Sequence, residues 1–102
     1  MMVDFRVVPI GTGSSSLSAE MAEVLREVDS SGVTYKTNDM RTVVEGDWDT
    51  VMGLIKRCHD KMMENAERVS TIITIDDRKG RAIHIGEKVS SIEKAMGKSL
   101  CK

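Results

Sequence analysis

Apolar residues alternate with other residues along the first ten positions, as in a β-strand. Val3, Phe5 and Val7 share one face of a strand from Met2 to Ile10, and that face is wholly apolar. The opposite face is polar at first and apolar later, and comprises Met2, Asp4, Arg6, Val8 and Ile10. Because Pro9 has no N–H to donate, we place it at the exit of the strand. The apolar face is predicted to meet the core.

The segment after the loop Gly11–Ser16 has the apolar periodicity of a helix. Its apolar residues recur at spacings of 4, 3, 1 and 3, which is one stripe along a helix, and they are Leu17, Met21, Val24, Leu25 and Val28. The pattern predicts a helix from about Leu17 to Ser30. Ser16 or Ser18 is the expected N-cap, and Gly32 is the expected C-terminal stop.

Two short strands and a second helix come next. Val33–Thr37 and Met40–Glu45 are predicted strands, joined by the turn residues Asn38-Asp39. Gly46 breaks the second of them, and Asp47 is a good N-cap for a helix predicted from Trp48 to about Glu67. The predicted inner stripe of that helix comprises Trp48, Val51, Met52, Ile55, Cys58, His59, Met62 and Ala66.

The remaining third of the chain predicts one more strand and one more helix. In the strand Val69–Asp76, Ile73 and Ile75 face one way, and Ile72 and Thr74 the other. A charged turn separates it from a helix predicted over Glu87–Met96, with Gly97 as its C-cap. The apolar stripe of that helix consists of Val89, Ile92 and Met96.

The element order βαββαβ plus a C-terminal helix indicates the α+β class. It predicts a single ferredoxin-like domain over residues 1–102, a four-stranded antiparallel sheet with two helices on one face. The second face of that sheet is left uncovered, and its expected members include Val8, Ile10, Ile72 and Thr74. An apolar surface open to water favours self-association, so we expect a dimer or tetramer built through sheet faces or edges.

Composition indicates which classes of partner and which cellular compartment to expect. Fifteen basic and 16 acidic residues give a net charge of −1, which lends no support to a nucleic acid or an anionic membrane as partner. No signal peptide or apolar span is recognisable. The two cysteines, Cys58 and Cys101, make neither a disulfide framework nor a zinc site, and free thiols fit a reducing, cytoplasmic location.

Two stretches carry candidate binding chemistry. Backbone N–H groups and hydroxyls in the loop after the first strand, at Thr12 and Ser14–Ser16, could cradle an anion, or the loop could be a plain connection ending in a serine cap. Glu45 could pair with a cationic ligand or be a surface carboxylate that closes its strand. Thr42 could add a hydroxyl from the same strand or serve only as a β-favouring residue.

No catalytic or metal constellation is visible in the residue pattern. His59 and His84 have no partner at a ligand spacing, so no metal site and no cofactor are expected. No nucleophile is paired with an oriented base, which argues against an enzyme. Three aromatic residues are too few for a sheet that stacks bases, as RNA-binding sheets of this topology do.

Four separated stretches together resemble a known family. They are Val8–Ser18, Met40–Asp49, Arg68–Arg78 and Glu87–Lys94. They are similar to the thiamine-binding-protein-like family of small proteins, related to the YkoF binders of thiamine and hydroxymethylpyrimidine. The resemblance covers nearly the whole chain. It implies a ferredoxin-like fold, homo-oligomers built through the sheets, and binding of thiamine or a related small molecule.

The resemblance also has departures. The family pattern favours Pro-Met-Gly-Thr ahead of the glutamate, whereas this chain has Asp39 for the Pro and Arg41 for the Gly. Arg41 adds bulk and charge beside the expected pocket, so the ligand preference can differ. The expected ligand-binding residues are Thr12, Ser14, Ser15, Ser16, Tyr35, Met40, Thr42 and Glu45. Trp48 is expected to be a core anchor rather than a wall of the pocket.

Three hypotheses of function follow. The favoured one is a non-enzymatic, oligomeric protein that binds thiamine or a related pyrimidine or thiazole compound. The second is a structural or regulatory homo-oligomer that has no organic ligand and binds anions only. The third is an enzyme of the acylphosphatase kind using Arg6 or Arg41, and the sequence motif for it is missing.

Overall fold

The computed structural model describes residues 1–11 and 18–102, and its strands and helices follow the predicted order. The predicted cap at Ser16 lies outside the described residues. The third helix was predicted with its observed bounds. The elements are β1 (Met2–Ile10), α1 (Ser18–Ser30), β2 (Thr34–Thr37), β3 (Thr42–Glu45), α2 (Trp48–Met63), β4 (Arg68–Asp76) and α3 (Glu87–Met96).

The four strands form one antiparallel sheet in the order β2-β3-β1-β4. This confirms the predicted α+β, ferredoxin-like arrangement. β1 and β4 pair without a break, from Met2 opposite Asp76 to Ile10 opposite Arg68. On its other side β1 pairs with β3 only as far as Phe5, which lies opposite Thr42. Among the described residues, the second half of β1 therefore has β4 as its neighbour on one side and no strand on the other.

Helices α1 and α2 cover one face of the sheet, which we call the helix-side face. The apolar face of β1 lies in this core as predicted. The core is one cluster formed by Val3, Phe5, Val7, Val24, Val28, Val44, Val51, Leu54, Ile55, Cys58 and Met62. Leu54 is fully buried although the predicted stripe of α2 omitted it. Its position three residues after Val51 and one before Ile55 is the ordinary helical spacing for a core residue.

Helix α2 departs from the prediction at both ends. Trp48 is 55% exposed, so the prediction of a core anchor is wrong. The reason is its place as the first residue after the N-cap Asp47, since side chains lean toward the helix N-terminus and this one leans past the end of the helix. At the other end the helix stops at Met63, and Ala66 of the predicted stripe lies beyond it.

The opposite face of the sheet, which carries Met2, Asp4, Arg6, Val8 and Ile10 of β1, is called here the open face. As predicted, its apolar side chains Val8, Ile10 and Ile72 are exposed. Helix α3 buries none of its residues, and Met96 is exposed, so its apolar stripe is not part of the core. The described part of the chain is elongated, measuring 46 × 30 × 21 Å. Both the open face and α3 retain apolar surface in contact with water.

Candidate functional site

The turn between β2 and β3 is built by one asparagine. The Oδ1 atom of Asn38 accepts hydrogen bonds from the backbone N–H groups of Met40 at 2.8 Å and Arg41 at 3.0 Å. The N–H of Asn38 donates to the carbonyl of Arg41 at 3.0 Å. Asparagine stabilises turns by this kind of local bond. The turn is fixed by its own sequence, and it holds Met40 out into solvent.

Two threonine hydroxyls meet just inside this turn. The Oγ1 atoms of Thr37 and Thr42 lie 3.0 Å apart, and Thr37 also donates to the carbonyl of Arg41 at 3.3 Å. Thr42 is 5% exposed and is the buried polar residue among those the structure describes. Each hydroxyl has a partner, as buried polar groups require. Thr42 is therefore held in place from within the protein.

Arg41, the departure from the family pattern, is engaged by Asp4. Its Nη1 lies 2.6 Å from Oδ2 of Asp4, and both side chains are partly exposed. The pair links the turn to the open face of β1. An exposed pair of this kind stabilises by only about 0–1 kcal/mol. Its main effect is to neutralise and orient the guanidinium, so the bulk of Arg41 remains beside the turn while its charge is compensated.

A cavity of about 230 Å³ lies at this turn, and we call it the turn cavity. It is lined by Phe5, Arg6, Val7, Val8, Met21 and residues 37–42. Its walls thus come from β1, α1 and the β2–β3 turn. Two of the predicted ligand-binding residues, Met40 and Thr42, lie in it together. Four more, Thr12 and Ser14–Ser16, follow β1 within a few residues of this cavity's β1 wall, but they lie outside the described residues.

Glu45, the predicted cation partner, lies on the other face of the sheet. Successive side chains of β3 alternate between faces, so Thr42 points into the helix-side core while Glu45 points to the open face. Its Oε2 lies 2.6 Å from Nδ1 of His84, from the segment before α3. Only 16% of the Glu45 side chain is exposed. Glu45 therefore lies apart from Met40 and Thr42, with which it was predicted to share a site.

His84 is a residue that the sequence interpretation left without a partner. It is separated from Glu45 by 39 residues, and no local spacing signals the contact. His84, but not Glu45, lines a groove of about 640 Å³ between the open face and residues 81–93. Met2 and Val43 lie on its sheet side, and Ile83, Ile85 and Val89 on the other. This groove is larger than the turn cavity, and the C-terminal segment forms one of its walls.

Tyr35, also predicted to bind ligand, is engaged elsewhere. It lies opposite Val44 on the helix-side face, and its hydroxyl donates to Oδ1 of Asp29 in α1 at 2.8 Å. The bond to the Asp29 carboxylate raises the pKa of Tyr35, because deprotonation would lose the bond and bring two negative charges together. Tyr35 thus fastens β2 to α1 and is absent from the lining of the turn cavity.

The nucleophilic and metal-binding side chains do not converge in the described residues. Residues 1–11 and 18–102 hold no group of three or more His, Cys, Asp or Glu side chains that could bind a metal ion. Cys58 is buried, and desolvation raises the pKa of its thiol to about 11. A thiol with that pKa is almost wholly protonated at pH 7 and is a poor nucleophile. His59 bonds instead to Thr71, with Nδ1 and Oγ1 2.6 Å apart.

None of the helices in the described ranges has the length and apolar character to cross a lipid bilayer.

Residues 3–93 match the family described as thiamine-binding protein. Among relatives, a UPF0045 protein of Mycobacterium bovis is 35% identical over 95 residues, covering 92% of this chain and 92% of that protein. A UPF0045 protein of Staphylococcus xylosus is 34% identical over 98 residues, covering 91% of this chain and 92% of its own length.

Solved structures agree with the fold. A hypothetical protein of Methanocaldococcus jannaschii superposes with a TM-score of 0.82 at 26% identity, covering 91% of this chain and 95% of that one. A Thermotoga maritima protein, provisionally named as one of thiamine biosynthesis or salvage, superposes with a TM-score of 0.78 at 27% identity. That match covers 89% of this chain and 96% of the other.

Proposed function

Because the chain belongs to the thiamine-binding protein family, we propose that it binds a small organic molecule of the thiamine type and does not transform it. The ligand in this proposal is thiamine itself or a related pyrimidine or thiazole compound. The name of the Thermotoga maritima relative points to the same class of molecule. A small-molecule partner is the part of this proposal that the family membership supports directly.

The turn cavity is the observation that carries the choice of site. It brings Met40 and Thr42 together beside the end of β1, from which the serine-rich stretch continues. A volume of about 230 Å³ is below the usual range of about 300–1,000 Å³ for pockets that enclose drug-sized ligands. It suits a single substituted ring better than the whole of a two-ring molecule. We therefore place the pyrimidine ring in the turn cavity and the rest of the ligand outside it.

The walls of the cavity provide both apolar and polar contacts for such a ring. Phe5, Val7 and Met21 are apolar, and methionine adapts its shape to a ligand. Thr42 presents a hydroxyl whose position is fixed by Thr37. In this proposal the hydroxyl exchanges part of its bond to Thr37 for one to a ring nitrogen or amino group. Arg41, neutralised by Asp4, sets the size of the entrance.

The absence of chemical transformation is part of the proposal. It is supported by the high pKa of the Cys58 thiol and by the separation of both histidines from the Thr37 and Thr42 hydroxyls at the turn cavity. His84 bonds to Glu45 at the open face, and His59 bonds to Thr71 between α2 and β4. Because no nucleophile is paired with a base in the part of the chain that the structure describes, ligand binding is the whole of the activity proposed.

Isothermal titration calorimetry with thiamine, thiamine phosphate and hydroxymethylpyrimidine tests the proposal. We expect saturable heat from at least one of them, and from hydroxymethylpyrimidine if the ring alone occupies the cavity. Thr42→Val keeps the shape and removes the hydroxyl, so its dissociation constant should rise about tenfold, the equivalent of one hydrogen bond. Met40→Ala should weaken binding by less, because Met40 is largely exposed.

Glu45→Gln is the matched control, since Glu45 lies on the opposite face of the sheet. It should leave the heat unchanged if the ring lies in the turn cavity. Loss of binding in Glu45→Gln with normal binding in Thr42→Val would move the site to the groove beside His84. No heat from any of the three compounds, in a folded protein, would remove the thiamine proposal.

A homo-oligomer without an organic ligand is the alternative function, and the open face favours it. Val8, Ile10 and Ile72 expose apolar surface on one side of the sheet. Such surface is usual where proteins associate. We propose that copies of the chain associate into a dimer or tetramer with or without ligand. Light scattering on the calorimetry samples measures the mass, and an oligomer that binds none of the compounds would favour this alternative.

A further inference from the structure

Two arginines lie at the turn cavity, where the pairing of β1 with β3 stops. That pairing ends at Phe5 opposite Thr42. One further step of the same register would place Arg6 opposite Arg41. Residues opposite each other on neighbouring strands point to the same face, and like charges in that position are unfavourable. Both arginines line the turn cavity, so two positive charges border one small cavity from the open-face side.

The charge of Arg6 is not balanced by an ion pair among residues 1–11 and 18–102, although the residue is partly buried. Residues 12–17 contain no acidic side chain that could supply a partner. A guanidinium stays protonated in proteins, and its burial without a compensating charge is unfavourable. A partly buried arginine in the wall of a cavity is therefore suited to an anionic ligand.

Arg41 can contact the same ligand because its present partner holds it only weakly. Its Nη1 lies 2.6 Å from Oδ2 of Asp4, yet 48% of the arginine side chain and 25% of the aspartate side chain are exposed. Ion pairs as exposed as this one are weak and are screened by salt. A guanidinium has five N–H donors in a planar fork, so Arg41 can keep a bond to Asp4 and donate others to an anion.

Asp39 is the acidic residue in the lining of the turn cavity, and it opposes the binding of an anion there. Asp39 is exposed, whereas Arg6 is partly buried. Charges that face water are screened more strongly than charges that are partly buried. The electrostatic balance of the cavity wall therefore favours an anionic group beside the two arginines.

We propose that the ligand of the turn cavity is a phosphate ester whose phosphate group lies between Arg6 and Arg41. This inference rests on the function proposed above and names the chemical class of the ligand more narrowly. The ring lies against Phe5, Val7 and Met21 on the helix side, and the phosphate lies on the open-face side. Because all these residues border one small cavity, a short link must join phosphate and ring. Hydroxymethylpyrimidine phosphate has such a link, whereas the phosphate of thiamine phosphate lies beyond a second ring.

Isothermal titration calorimetry with hydroxymethylpyrimidine and its phosphate ester tests the inference. Wild type should bind the ester on the order of a hundredfold more tightly, since each charge-assisted contact contributes about tenfold. Arg6→Gln and Arg41→Gln should each lower this ratio of affinities about tenfold. The ratio is the informative quantity, because any effect on ring binding common to the two compounds cancels. Arg41→Lys keeps the charge without the planar fork, so it should retain more of the ratio than Arg41→Gln.

Two neighbouring carboxylates provide variants with the opposite effect. Asp4→Asn releases the guanidinium of Arg41, and Asp39→Asn removes the negative charge of the lining, so both should raise the ratio. Lys36→Gln is the matched control, because Lys36 lies on β2 and lines the groove beside His84 but not the turn cavity. It removes one positive charge, as the arginine variants do, and should leave the ratio as it is in wild type.

The possible outcomes separate this inference from the function on which it rests. Equal affinity of wild type for the ester and the alcohol overturns the inference and leaves the thiamine-type ligand in place. Inorganic phosphate that binds as tightly as the ester also overturns it, since the ring would then contribute nothing. A ratio that persists when both arginines are glutamine places the phosphate elsewhere and overturns it too. No heat from any of the compounds, in a folded protein, removes the proposed function as well.

Discussion

β1 and β4 are neighbours over nine residue pairs, yet they lie in very different surroundings. The helix-side residues of β1 are buried. Their cross-strand partners on β4, Ile73 and Ile75, remain more than one-third exposed. Both strands have the composition of a core strand. The difference arises because β1 has a strand on each side near its start and helices above it, while β4 ends the sheet. Apolar sequence therefore does not by itself secure burial within one copy of the chain.

The largest expected effect comes from truncating matched residues on the two strands. Phe5 and Ile73 face each other on the helix side. Phe5→Ala should lower the free energy of unfolding by about 3–5 kcal/mol, because it leaves a cavity in the core. Ile73→Ala should cost about 1 kcal/mol in dilute solution, where its side chain is already partly hydrated. Urea unfolding at two protein concentrations measures both.

Phe5→Leu provides a milder variant in case Phe5→Ala does not fold, and the order of effects should remain. The cost of Ile73→Ala should grow as protein concentration rises, since association between copies of the chain would then cover its exposed side chain. An equally large cost for Phe5→Ala and Ile73→Ala at the lowest concentration would mean that β4 is covered within a single copy. The contrast drawn above between a buried β1 and an exposed β4 would then be wrong.

A smaller effect should come from the polar link between α2 and β4. Nδ1 of His59 and Oγ1 of Thr71 lie 2.6 Å apart, and this bond ties the edge strand to the helix above it. Thr71→Val should lower the free energy of unfolding by about 0.5–1.5 kcal/mol and speed amide exchange along β4. Thr74→Val, on the open face of the same strand, is the control and should be close to neutral. Equal effects would assign the loss to strand composition rather than to the bond.

The smallest expected effect concerns the cap of α2, the helix that shields β1. The Thr50 N–H and hydroxyl both donate to the Asp47 carboxylate and lower its pKa below the ordinary 3.8. This group therefore adds stability above pH 3.8, and the contribution is lost as the pH falls through the lowered pKa. Asp47→Asn can still cap the helix, so its thermal midpoint should match wild type more closely at pH 3 than at pH 7.

Other carboxylates keep some acid sensitivity in that variant. The pKa values of Asp60 and Glu93 are also lowered, mainly by hydrogen bonds from Lys56 and Lys102 respectively. The informative quantity is thus the difference between wild type and Asp47→Asn at each pH. A difference that does not change between pH 7 and pH 3 would show that the charge on Asp47 contributes nothing to the cap.

Much of the fold could be predicted because its signals are local. The third helix has its predicted bounds, since Gly97 adopts a left-handed conformation with φ of 70° and its N–H donates to the carbonyl of Glu93 at 2.8 Å. Trp48 was misplaced because its apolar character was counted without regard to its place at the first turn. Leu54 was omitted from the predicted stripe of α2, although its helical spacing from Val51 and Ile55 was enough to predict its burial.

The candidate site was harder to predict because it depends on distant contacts. Thr42 and Glu45 are close along the chain, but the two-residue period of a strand already separates them onto opposite faces. The partners of Arg41 and Glu45 are 37 and 39 residues away, respectively, and no local pattern identifies Asp4 or His84. Nearness in sequence therefore grouped Met40 with Thr42 correctly but placed Glu45 with them wrongly.

The sequence by itself determined the order of elements, the apolar faces of β1, α1 and α2, and the caps and turns that end them. Those features follow from periodicity and backbone preference over a few residues. Tertiary structure alone decided which strand lies at the edge, which cavity holds Met40 with Thr42, and which charges are paired. These depend on how strands far apart in the chain align, and alignment is set by the packing of the whole sheet rather than by any one segment.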